Sequence, residues 1–295
     1  MPFPGRVKSA IQGALWLVGG GGMRRHLQNL EERLAAMDAK LEHIAGLDQR
    51  FAPTNGWGAP ASDLRAYERK VYSQSGEDGI IEEILRRVGI RNQFFVEFGV
   101  ESGIECNCAR LARVEKWAGL FLEGESTRFE QLARRYEPYP RVRCIQTYVT
   151  SKNIERLLEE HAVPIEFDVL SIDIDGNDYW VWKAIDHWKP RVVVIEYNAS
   201  HPPQEKWVMA ENPEHRWDGT DYFGASLLSL VELGREKGYT LVGTNSLGVN
   251  AFFVRADLAT GGRFLDALVH YHYTPPGYGA TNGGHPPGSG PAVAI

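Results

Sequence analysis

The stretch QFFVEFGVESG, residues 93–103, decides the fold of this chain. It begins with an apolar run of strand length that is rich in β-forming residues, and it breaks at Gly99. Residues 104–117 then carry apolar side chains at helical spacing. A buried strand, a glycine turn and a helix in this order are typical of the start of a nucleotide-binding domain.

The turn itself indicates which nucleotide it binds. A dinucleotide requires three closely spaced glycines and free amides at the helix N-terminus, whereas this turn reads E-x-G-x-x-x-G with Glu101 inside it. The Glu101 carboxylate would occupy or repel an anion site at the turn. S-adenosylmethionine fits better, because its ammonium and sulfonium groups are cationic. A plain strand-to-helix turn without a ligand is the alternative for this stretch taken alone.

The composition limits the class of protein. The 295 residues, 43% of them hydrophobic, suffice for one catalytic-sized domain with appendages. A net charge of −6 gives no electrostatic footprint for nucleic acid, so we expect no nucleic-acid partner. Cys106, Cys108 and Cys144 are an odd number without a matching Cys/His pair for zinc. We interpret them as reduced, buried thiols of a cytoplasmic protein.

The first 22 residues carry two basic residues, then an apolar run that contains Trp16. The run is far shorter than the roughly 18 residues that a membrane-spanning helix needs. Two interpretations are open: a disordered leader, or an interfacial anchor that would give the protein a peripheral membrane association.

Residues 23–45 predict a coiled-coil helix. Their apolar residues recur at spacings of three and four, the pattern of an a/d heptad seam: Leu27, Leu30, Leu34, Met37, Leu41 and Ile44. We expect the helix to support a homo-oligomer; the alternative is an amphipathic helix that folds onto its own domain. Residues 46–70, rich in Pro and Gly, read as a linker.

Residues 71–258 alternate between strand and helix patterns. Five such units predict an α/β fold, a doubly wound, Rossmann-like parallel sheet covered on both faces. Two further strands at 239–242 and 249–254, joined by a short turn, predict an antiparallel hairpin that closes the sheet. We interpret residues 259–295 as a C-terminal extension whose Pro/Gly-rich tail is disordered.

Acidic residues fall at the predicted carboxyl ends of four strands, namely Glu97, Glu123, Asp173 and Glu196. In a parallel sheet these ends meet at one edge, where ligands bind. Glu97, beside the glycine turn, can orient the methionine end of the cofactor or cap the turn amides. Glu123 can accept both ribose hydroxyls, or be an ordinary surface glutamate.

The motifs together resemble a known family. They are Ser73-Gln74-x-Gly76-Glu77-Asp78, Val96-Glu97-Phe98-Gly99-x-x-x-Gly103 followed by Asn107, Phe121-Leu122-Glu123, and Ser171-Ile172-Asp173-Ile174-Asp175-Gly176 leading to Val194-Ile195-Glu196. In order and spacing, over about residues 71–255, they resemble the FkbM-type family of class I S-adenosylmethionine-dependent methyltransferases. The resemblance implies methyl transfer to an oxygen, often of a sugar or a natural product. Many relatives carry Val-Glu-Gly where this chain has Ile174-Asp175-Gly176, so the acceptor stays open.

The resemblance and the positions of the strand ends together predict the site residues. Expected cofactor contacts are Gln74, Glu97, Gly99, Gly103, Asn107, Glu123, Thr150 and Asp173. Candidate catalytic residues are Asp173, Asp175, Glu196, Asn198 and His201. One of these would remove the acceptor proton, because the sulfonium leaving group needs no help. The alternative is that the carboxylates hold Mg²⁺, since several carboxylates at one site need a cation or raised pKa values.

The connection between Glu196 and Leu227 is long and rich in aromatic residues. Long loops in compact domains are often functional lids, and aromatic faces stack on sugar rings. An acceptor with a ring and hydroxyls fits this connection. The alternative is a loop that buries its aromatics as a small core of its own.

The sequence therefore predicts an S-adenosylmethionine-dependent O-methyltransferase that acts on a hydroxyl of a sugar, glycan or secondary metabolite. The alternative is a non-catalytic coiled-coil assembly protein with a methyltransferase-like binding domain. The four acidic strand ends favour the enzyme, because a scaffold has no use for such a charge cluster. A metal-dependent hydrolase or hydroxylase on the same fold is a third interpretation.

Overall fold

The computed structural model describes residues 63–265, 268–279 and 283–293. These residues belong to one compact unit, Trp57–Ile295. The predicted leader at 1–22, the coiled-coil helix at 23–45 and residues 46–62 of the linker lie outside the described residues.

The described chain alternates strands and helices, as the sequence predicts for its central part. The strands are β1 (Phe94–Phe98), β2 (Ala118–Glu123), β3 (Val142–Gln146), β4 (Val169–Ile172), β5 (Val192–Glu196), β6 (Val208–Met209), β7 (Tyr239–Thr244), β8 (Asn250–Arg255) and β9 (Ala292–Val293). The α-helices are α1 (Glu77–Val88), α2 (Ala109–Arg113), α3 (Ser126–Tyr136), α4 (Ile154–Glu160), α5 (Asp178–Ala184), α6 (Leu227–Glu236) and α7 (Val269–His272).

Seven strands form one sheet in the order β3-β2-β1-β4-β5-β8-β7. Strands β1 to β5 pair in parallel, and β8 pairs antiparallel with both β5 and β7. The predicted doubly wound sheet and its closing antiparallel hairpin are therefore confirmed. Two apolar cores cover the two faces, and the central strands are apolar on both sides because neither face meets water.

The turn after β1 requires glycine at position 99. Gly99 has φ 79°, and a Cβ on it would overlap the backbone carbonyl oxygen of Asp173. The ends of β1 and β4 therefore approach each other at backbone level. This close approach places the acidic residues after β4 beside the turn.

The helix after this turn is shorter than the pattern over residues 104–117 predicts. Helix α2 begins only at Ala109, because Glu97 accepts hydrogen bonds from the amides of Asn107 and Cys108 at 2.7 and 2.8 Å. A carboxylate from the neighbouring strand thus replaces the preceding helical turn. The apolar residues upstream pack as an irregular segment.

The expectation of a disordered C-terminal tail is wrong for residues 283–293. Strand β9 pairs antiparallel with β6, which lies in the long connection after β5. The Pro291 carbonyl accepts a hydrogen bond from the Ala210 amide at 2.9 Å. Proline and glycine are compatible with this packing, since they allow an extended chain to approach another backbone closely.

Among the described helices, none combines the length and the apolar character that a bilayer crossing requires.

Candidate active site

A cavity of about 320 Å³ opens at the carboxyl ends of the parallel strands. The turns after β1, β2, β3 and β4 form one side, and residues of the long connection form the other. The lining residues are Gly99, Glu101, Leu122, Glu123, Gly124, Glu125, Arg128, Thr147, Tyr148, Val149, Ile174, Asp175, Asn177, Pro213, His215, Arg216 and Trp217. This is the edge at which open parallel sheets bind their ligands.

Glu123 lies in this lining, at the end of β2. Its two carboxylate oxygens accept hydrogen bonds from the amides of Glu101 and Glu125 at 2.7 and 2.8 Å. These bonds fix the carboxylate, and each oxygen keeps a lone pair that can accept a ligand hydroxyl. The Glu101 amide is therefore not free for a phosphate. The Glu101 side chain pairs instead with Arg128 at 3.3 Å.

Glu97 is buried beneath the turn, with 2% of its surface exposed. Besides the two amides before α2, it accepts a hydrogen bond from the Ser171 hydroxyl at 3.2 Å. Burial raises the pKa of Glu97 to about 7, although the amide hydrogen bonds favour the ionised form. The carboxylate thus caps the segment before α2, which is one of the two roles that the sequence left open for it.

Gly103 and Asn107, two expected cofactor contacts, have neighbours within the fold. A Cβ on Gly103 would lie 2.6 Å from the Tyr136 ring, so this glycine lets α3 approach the turn. The Asn107 amide group donates a hydrogen bond to the Ser171 hydroxyl at 3.0 Å. Both residues shape the floor of the turn, and neither is among the lining residues named above.

Gln74 and Thr150 are also absent from the described lining of the cavity. Gln74 is exposed in the segment before α1. The Thr150 amide donates a hydrogen bond to the Asn153 side chain at 2.8 Å, in the turn that precedes α4. The three residues before Thr150, Thr147 to Val149, line the cavity in its place.

Three of the expected catalytic residues converge at the end of β4 and β5. One carboxylate oxygen each from Asp173, Asp175 and Glu196 lie within 4.8 Å of one another. The Glu196 Oε2 atom is buried and has no hydrogen-bond partner among the described residues. An unsatisfied buried oxygen in a native structure calls for an explanation such as a ligand, an ion or a water.

Burial and neighbouring carboxylates raise the pKa of all three carboxyls. Burial contributes most for each, followed by the Asp175 charge for Asp173 and by the Asp173 charge for Glu196. The Asp175 residue is exposed as a whole, yet burial of its carboxyl group and the Asp178 charge raise its pKa to about 6. Such groups bind a proton or a cation more readily than ordinary carboxylates.

The turn that carries Asp175 is held from below by Asp178. The Asp178 carboxylate accepts the amides of Ile174 and Gly176, both at 2.9 Å. Asp175 itself has φ 53°, a left-handed conformation that Asp and Asn tolerate better than other non-glycine residues. The turn thus presents the Asp175 side chain to the cavity.

Asn198 and His201 have partners in the long connection. The Asn198 amide donates to the carbonyls of Asp221 and Phe223 at 2.7 and 2.9 Å, and its oxygen accepts the Ser200 amide. The His201 ring stacks on Trp207 at 4.2 Å and its Nδ1 lies 3.1 Å from Glu205. These contacts give both side chains a role within the long connection, and a catalytic role for them stays a prediction.

The long connection forms one wall of the cavity, and the sequence singled out two of its residues there, His215 and Trp217, as members of an aromatic-rich loop. Asn177 and Asn212 exchange hydrogen bonds at 2.8 and 3.0 Å, which fastens the connection to the turn after β4. His215 then lies over Gly176, where a Cβ would come within 2.5 Å of the ring. Its Nε2 is buried without a hydrogen-bond partner in the described part of the chain.

Arg216 and Trp217 complete this wall of the cavity. The Arg216 guanidinium lies 4.0 Å from the centroid of the Tyr148 ring, so it joins the connection to the turn after β3. The Trp217 ring is 41% exposed, and its indole nitrogen donates to the Thr220 carbonyl at 2.8 Å. The aromatic content of the connection was the available signal for these residues.

The acidic cluster also fits a divalent cation. Its three carboxylates supply the hard oxygen ligands that Mg²⁺ takes, and the unpartnered Glu196 oxygen offers a free lone pair. Asp173, Asp175 and Glu196 would be the ligands.

We expect the ligand-free protein to be more stable at about pH 6 than at about pH 8. The pKa values of Glu97 and Asp175 are raised in the folded state, so the folded protein binds more protons than the unfolded chain as the pH falls through about 7 and 6. The cost of burying these charges is present above that window and is relieved within it. Thermal unfolding across this range measures the effect.

The variant Asp175→Asn is the control for this pH dependence. It removes one of the titrating groups and should make the dependence of Tm on pH shallower. A Tm that falls from about pH 8 to about pH 6, or an unchanged slope in the variant, would contradict the assignment.

Comparison with known proteins gives one match at the level of a family. Residues 83–241, more than half of the chain, match the model of the methyltransferase FkbM domain. No curated protein matches the chain.

Several solved methyltransferase structures are similar to the chain. CurJ carbon methyltransferase shares 8% identity at a TM-score of 0.42, over 65% of this chain and 57% of that one. A Staphylococcus aureus protein described as a caffeoyl-CoA O-methyltransferase shares 13% sequence identity at a TM-score of 0.44, and the match covers 78% of this chain and 98% of that one. The N-terminal domain of EvdMO1, solved in the presence of SAH and D-fucose, shares 15% sequence identity at a TM-score of 0.39, and the match covers 73% of this chain and 94% of that one. At these TM-scores the likenesses carry no weight for the function of this chain.

Proposed function

We propose that this chain, which belongs to the FkbM methyltransferase family and is an S-adenosylmethionine-dependent methyltransferase, transfers its methyl group to a hydroxyl of a sugar, glycan or secondary metabolite. The observation that supports this acceptor most is the acidic cluster Asp173, Asp175 and Glu196, of which Asp175 lines the cavity and Glu196 has a buried unpartnered oxygen. Hydroxyl groups are donors, and carboxylates accept their hydrogen bonds. A polyhydroxylated acceptor therefore suits the cluster.

In this proposal the cofactor occupies the cavity between the strand ends and the long connection. Glu123 accepts the two ribose hydroxyls, because its oxygens are already oriented by the amides of Glu101 and Glu125. The turn at Gly99 allows the methionine end to approach the backbone closely. Glu97 supports that turn from beneath, through the amides of Asn107 and Cys108.

The acidic cluster receives the acceptor hydroxyl and its proton. The acceptor oxygen attacks the methyl carbon, the carbon–sulfur bond breaks, and its electron pair stays on sulfur. The hydroxyl proton passes to a carboxylate of the cluster. Asp175 suits this step best, since it lines the cavity and its pKa of about 6 is close to neutral.

A second version of the proposal uses a metal at the same place. Asp173, Asp175 and Glu196 would hold Mg²⁺, and the ion would lower the pKa of a hydroxyl bound to it. In both versions these three side chains place the acceptor oxygen.

Methyl transfer to a panel of acceptors tests the proposal. The full-length protein would be incubated with methyl-labelled S-adenosylmethionine and nucleotide sugars, oligosaccharides and small polyols. We expect a labelled methyl ether on a hydroxylated acceptor. Label transferred to nitrogen or carbon of other acceptors, with none of the hydroxylated compounds labelled, would contradict the proposal.

We also propose that the N-terminal helix at 23–45 supports a homo-oligomer. Deletion of residues 1–46 should lower the molecular mass of the assembly in light scattering, while SAH affinity is preserved because the cavity residues all lie after position 98. Identical assembly masses for the full and shortened chains at low concentration would refute this role. A loss of SAH binding would place the segment in the binding site.

A further inference from the structure

The C-terminal segment 283–293, here called the strap, lies against the long connection. Beyond the β6–β9 pairing, the Asp221 amide donates to the Pro286 carbonyl at 2.9 Å. The Asp221 carboxylate in turn accepts the Gly288 amide at 2.6 Å. Together with the Ala210–Pro291 bond, these contacts attach the strap at both ends of residues 210–221. The strap lies after the residues that match the family model.

Two glycines let the strap approach this closely. A Cβ on Gly290 would overlap the Tyr222 ring, and one on Gly288 would overlap the Thr220 side chain. The Tyr222 hydroxyl donates a hydrogen bond to the Pro291 carbonyl at 2.7 Å. Tyr222 is therefore held flat against the strap backbone.

Tyr222 and the strap contact the cavity wall from behind. The Tyr222 and His215 rings meet edge to face, with centroids 6.0 Å apart, and His215 lines the cavity. On the other side, His285 of the strap packs against Trp217 with centroids 4.7 Å apart. The wall residues 213–217 thus lie between the strap and the space proposed for the cofactor.

The wall residues themselves have little buried surface, since positions 213, 214 and 216–218 are exposed. The connection is held to the sheet edge on either side of them, by the Asn177–Asn212 exchange and by the bond from the Trp180 indole nitrogen to the Met209 carbonyl. Within the wall, the Arg216–Tyr148 contact adds to these. Segments with little buried surface open at low free-energy cost unless something else holds them.

We infer that the strap positions the cavity wall, through Tyr222 at His215 and through His285 at Trp217, and thereby retains the cofactor. Tyr222 is a positioning residue, because it acts through His215 and is absent from the described lining of the cavity. Loosening the strap should let the wall move away from the strand ends. Bound SAH would then leave faster, since changes in an existing binding interface act mostly on the dissociation rate.

The variant Gly290→Ala tests this directly, because the added methyl group pushes the strap away from Tyr222. We expect the dissociation rate of SAH from the full-length protein, measured by stopped-flow fluorescence, to rise about tenfold, the equivalent of about 1.4 kcal/mol. KM for S-adenosylmethionine should rise in parallel, while kcat at saturating cofactor changes little. A general loss of stability would lower Tm without raising KM for S-adenosylmethionine at a nearly constant kcat.

Tyr222→Phe is a second, milder variant. It keeps the ring against His215 and removes the bond to Pro291, so we expect about a threefold faster release of SAH. Tyr271→Phe is the matched control, since Tyr271 is 64% exposed and lies elsewhere in the C-terminal extension. The double variant Gly290→Ala/Tyr222→Phe should release SAH no faster than Gly290→Ala alone, because both changes disrupt the same contact, that between the strap and Tyr222.

Unaltered SAH release in Tyr222→Phe and in folded Gly290→Ala would overturn the inference. Additive effects in the double variant, or an equal effect of Tyr271→Phe, would also overturn it. If Gly290→Ala does not fold, the SAH dissociation rate of Tyr222→Phe, compared with that of Tyr271→Phe, tests the inference. The readout is cofactor release, so its outcome is independent of which acceptor the enzyme methylates.

Discussion

Replacement of Asp175 by Asn is expected to lower turnover by roughly 10²–10⁴ and to leave SAH affinity within about twofold, because proton removal matters only as the acceptor oxygen attacks. Asn is the appropriate substitute, since it tolerates the left-handed conformation at this position almost as well as Asp. The amide cannot accept the proton. Single-turnover methyl transfer gives the rate, and calorimetry gives the affinity for SAH.

The control is Asp186→Asn, which removes a carboxylate whose side chain is 83% exposed and pairs with Lys237. It should leave both quantities unchanged. Chelation separates the two versions of the chemistry: activity that EDTA abolishes and Mg²⁺ restores favours the metal, whereas indifference to EDTA favours the carboxylate base. Full transfer by the variant Asp173→Asn/Asp175→Asn/Glu196→Gln would exclude both versions.

The second large effect is expected at Glu123. Glu123→Ala should weaken SAH binding by roughly 10- to 100-fold, because hydrogen bonds to a charged group contribute about 1.5–3 kcal/mol each. The carboxylate also orients the amides of Glu101 and Glu125, so its removal loosens the turn around the ligand.

Glu123→Gln provides the graded control for this prediction. The glutamine amide has one acceptor oxygen where the carboxylate has two, so it can accept only some of the hydrogen bonds from the two backbone amides and the ribose hydroxyls. We therefore expect a loss of SAH affinity between those of the unaltered protein and Glu123→Ala. Equal SAH affinity in Glu123→Ala and the unaltered protein would contradict the ribose assignment. Preferential binding of NAD would contradict the interpretation of the turn.

The fold could be predicted from the sequence because its signals are local. The apolar runs of β1 to β5 and the helical patterns between them each identify their own element, and the parallel pairing of these strands follows from their alternation with helices. The closing hairpin could also be predicted, from the short turn before β8. The start of α2 could not, because the helical spacing of residues 104–117 does not show that the Glu97 carboxylate of β1 binds the amides of Asn107 and Cys108.

The site could be predicted only as far as strand ends determine it. Asp173, Asp175 and Glu196 converge because the carboxyl ends of neighbouring parallel strands always meet. Asn198 and His201 also follow a strand, β5, within a few residues, but their partners, Asp221 and Trp207, lie in the long connection. Sequence proximity to a strand end therefore does not determine which way a side chain points.

The aromatic content of the long connection predicted a functional loop or a small core, but the place of its residues at the cavity could not be predicted. His215 and Trp217 reach the cavity through contacts that are distant in sequence, namely the Asn177–Asn212 exchange and the strap more than sixty residues later. The strap itself reads as a disordered tail, because its Pro and Gly content is the same for a free chain and for one packed closely on another. Only tertiary contacts distinguish the two.

A structure of the protein with bound SAH tests the central claim most directly. We expect both ribose hydroxyls to lie within hydrogen-bond distance of the Glu123 carboxylate, and the thioether sulfur to lie at the end of the cavity formed by Asp175. The acceptor oxygen could then approach the methyl group from the side of Asp173 and Glu196. A ribose away from Glu123, or a sulfur directed to the opposite end of the cavity from Asp175, would contradict it.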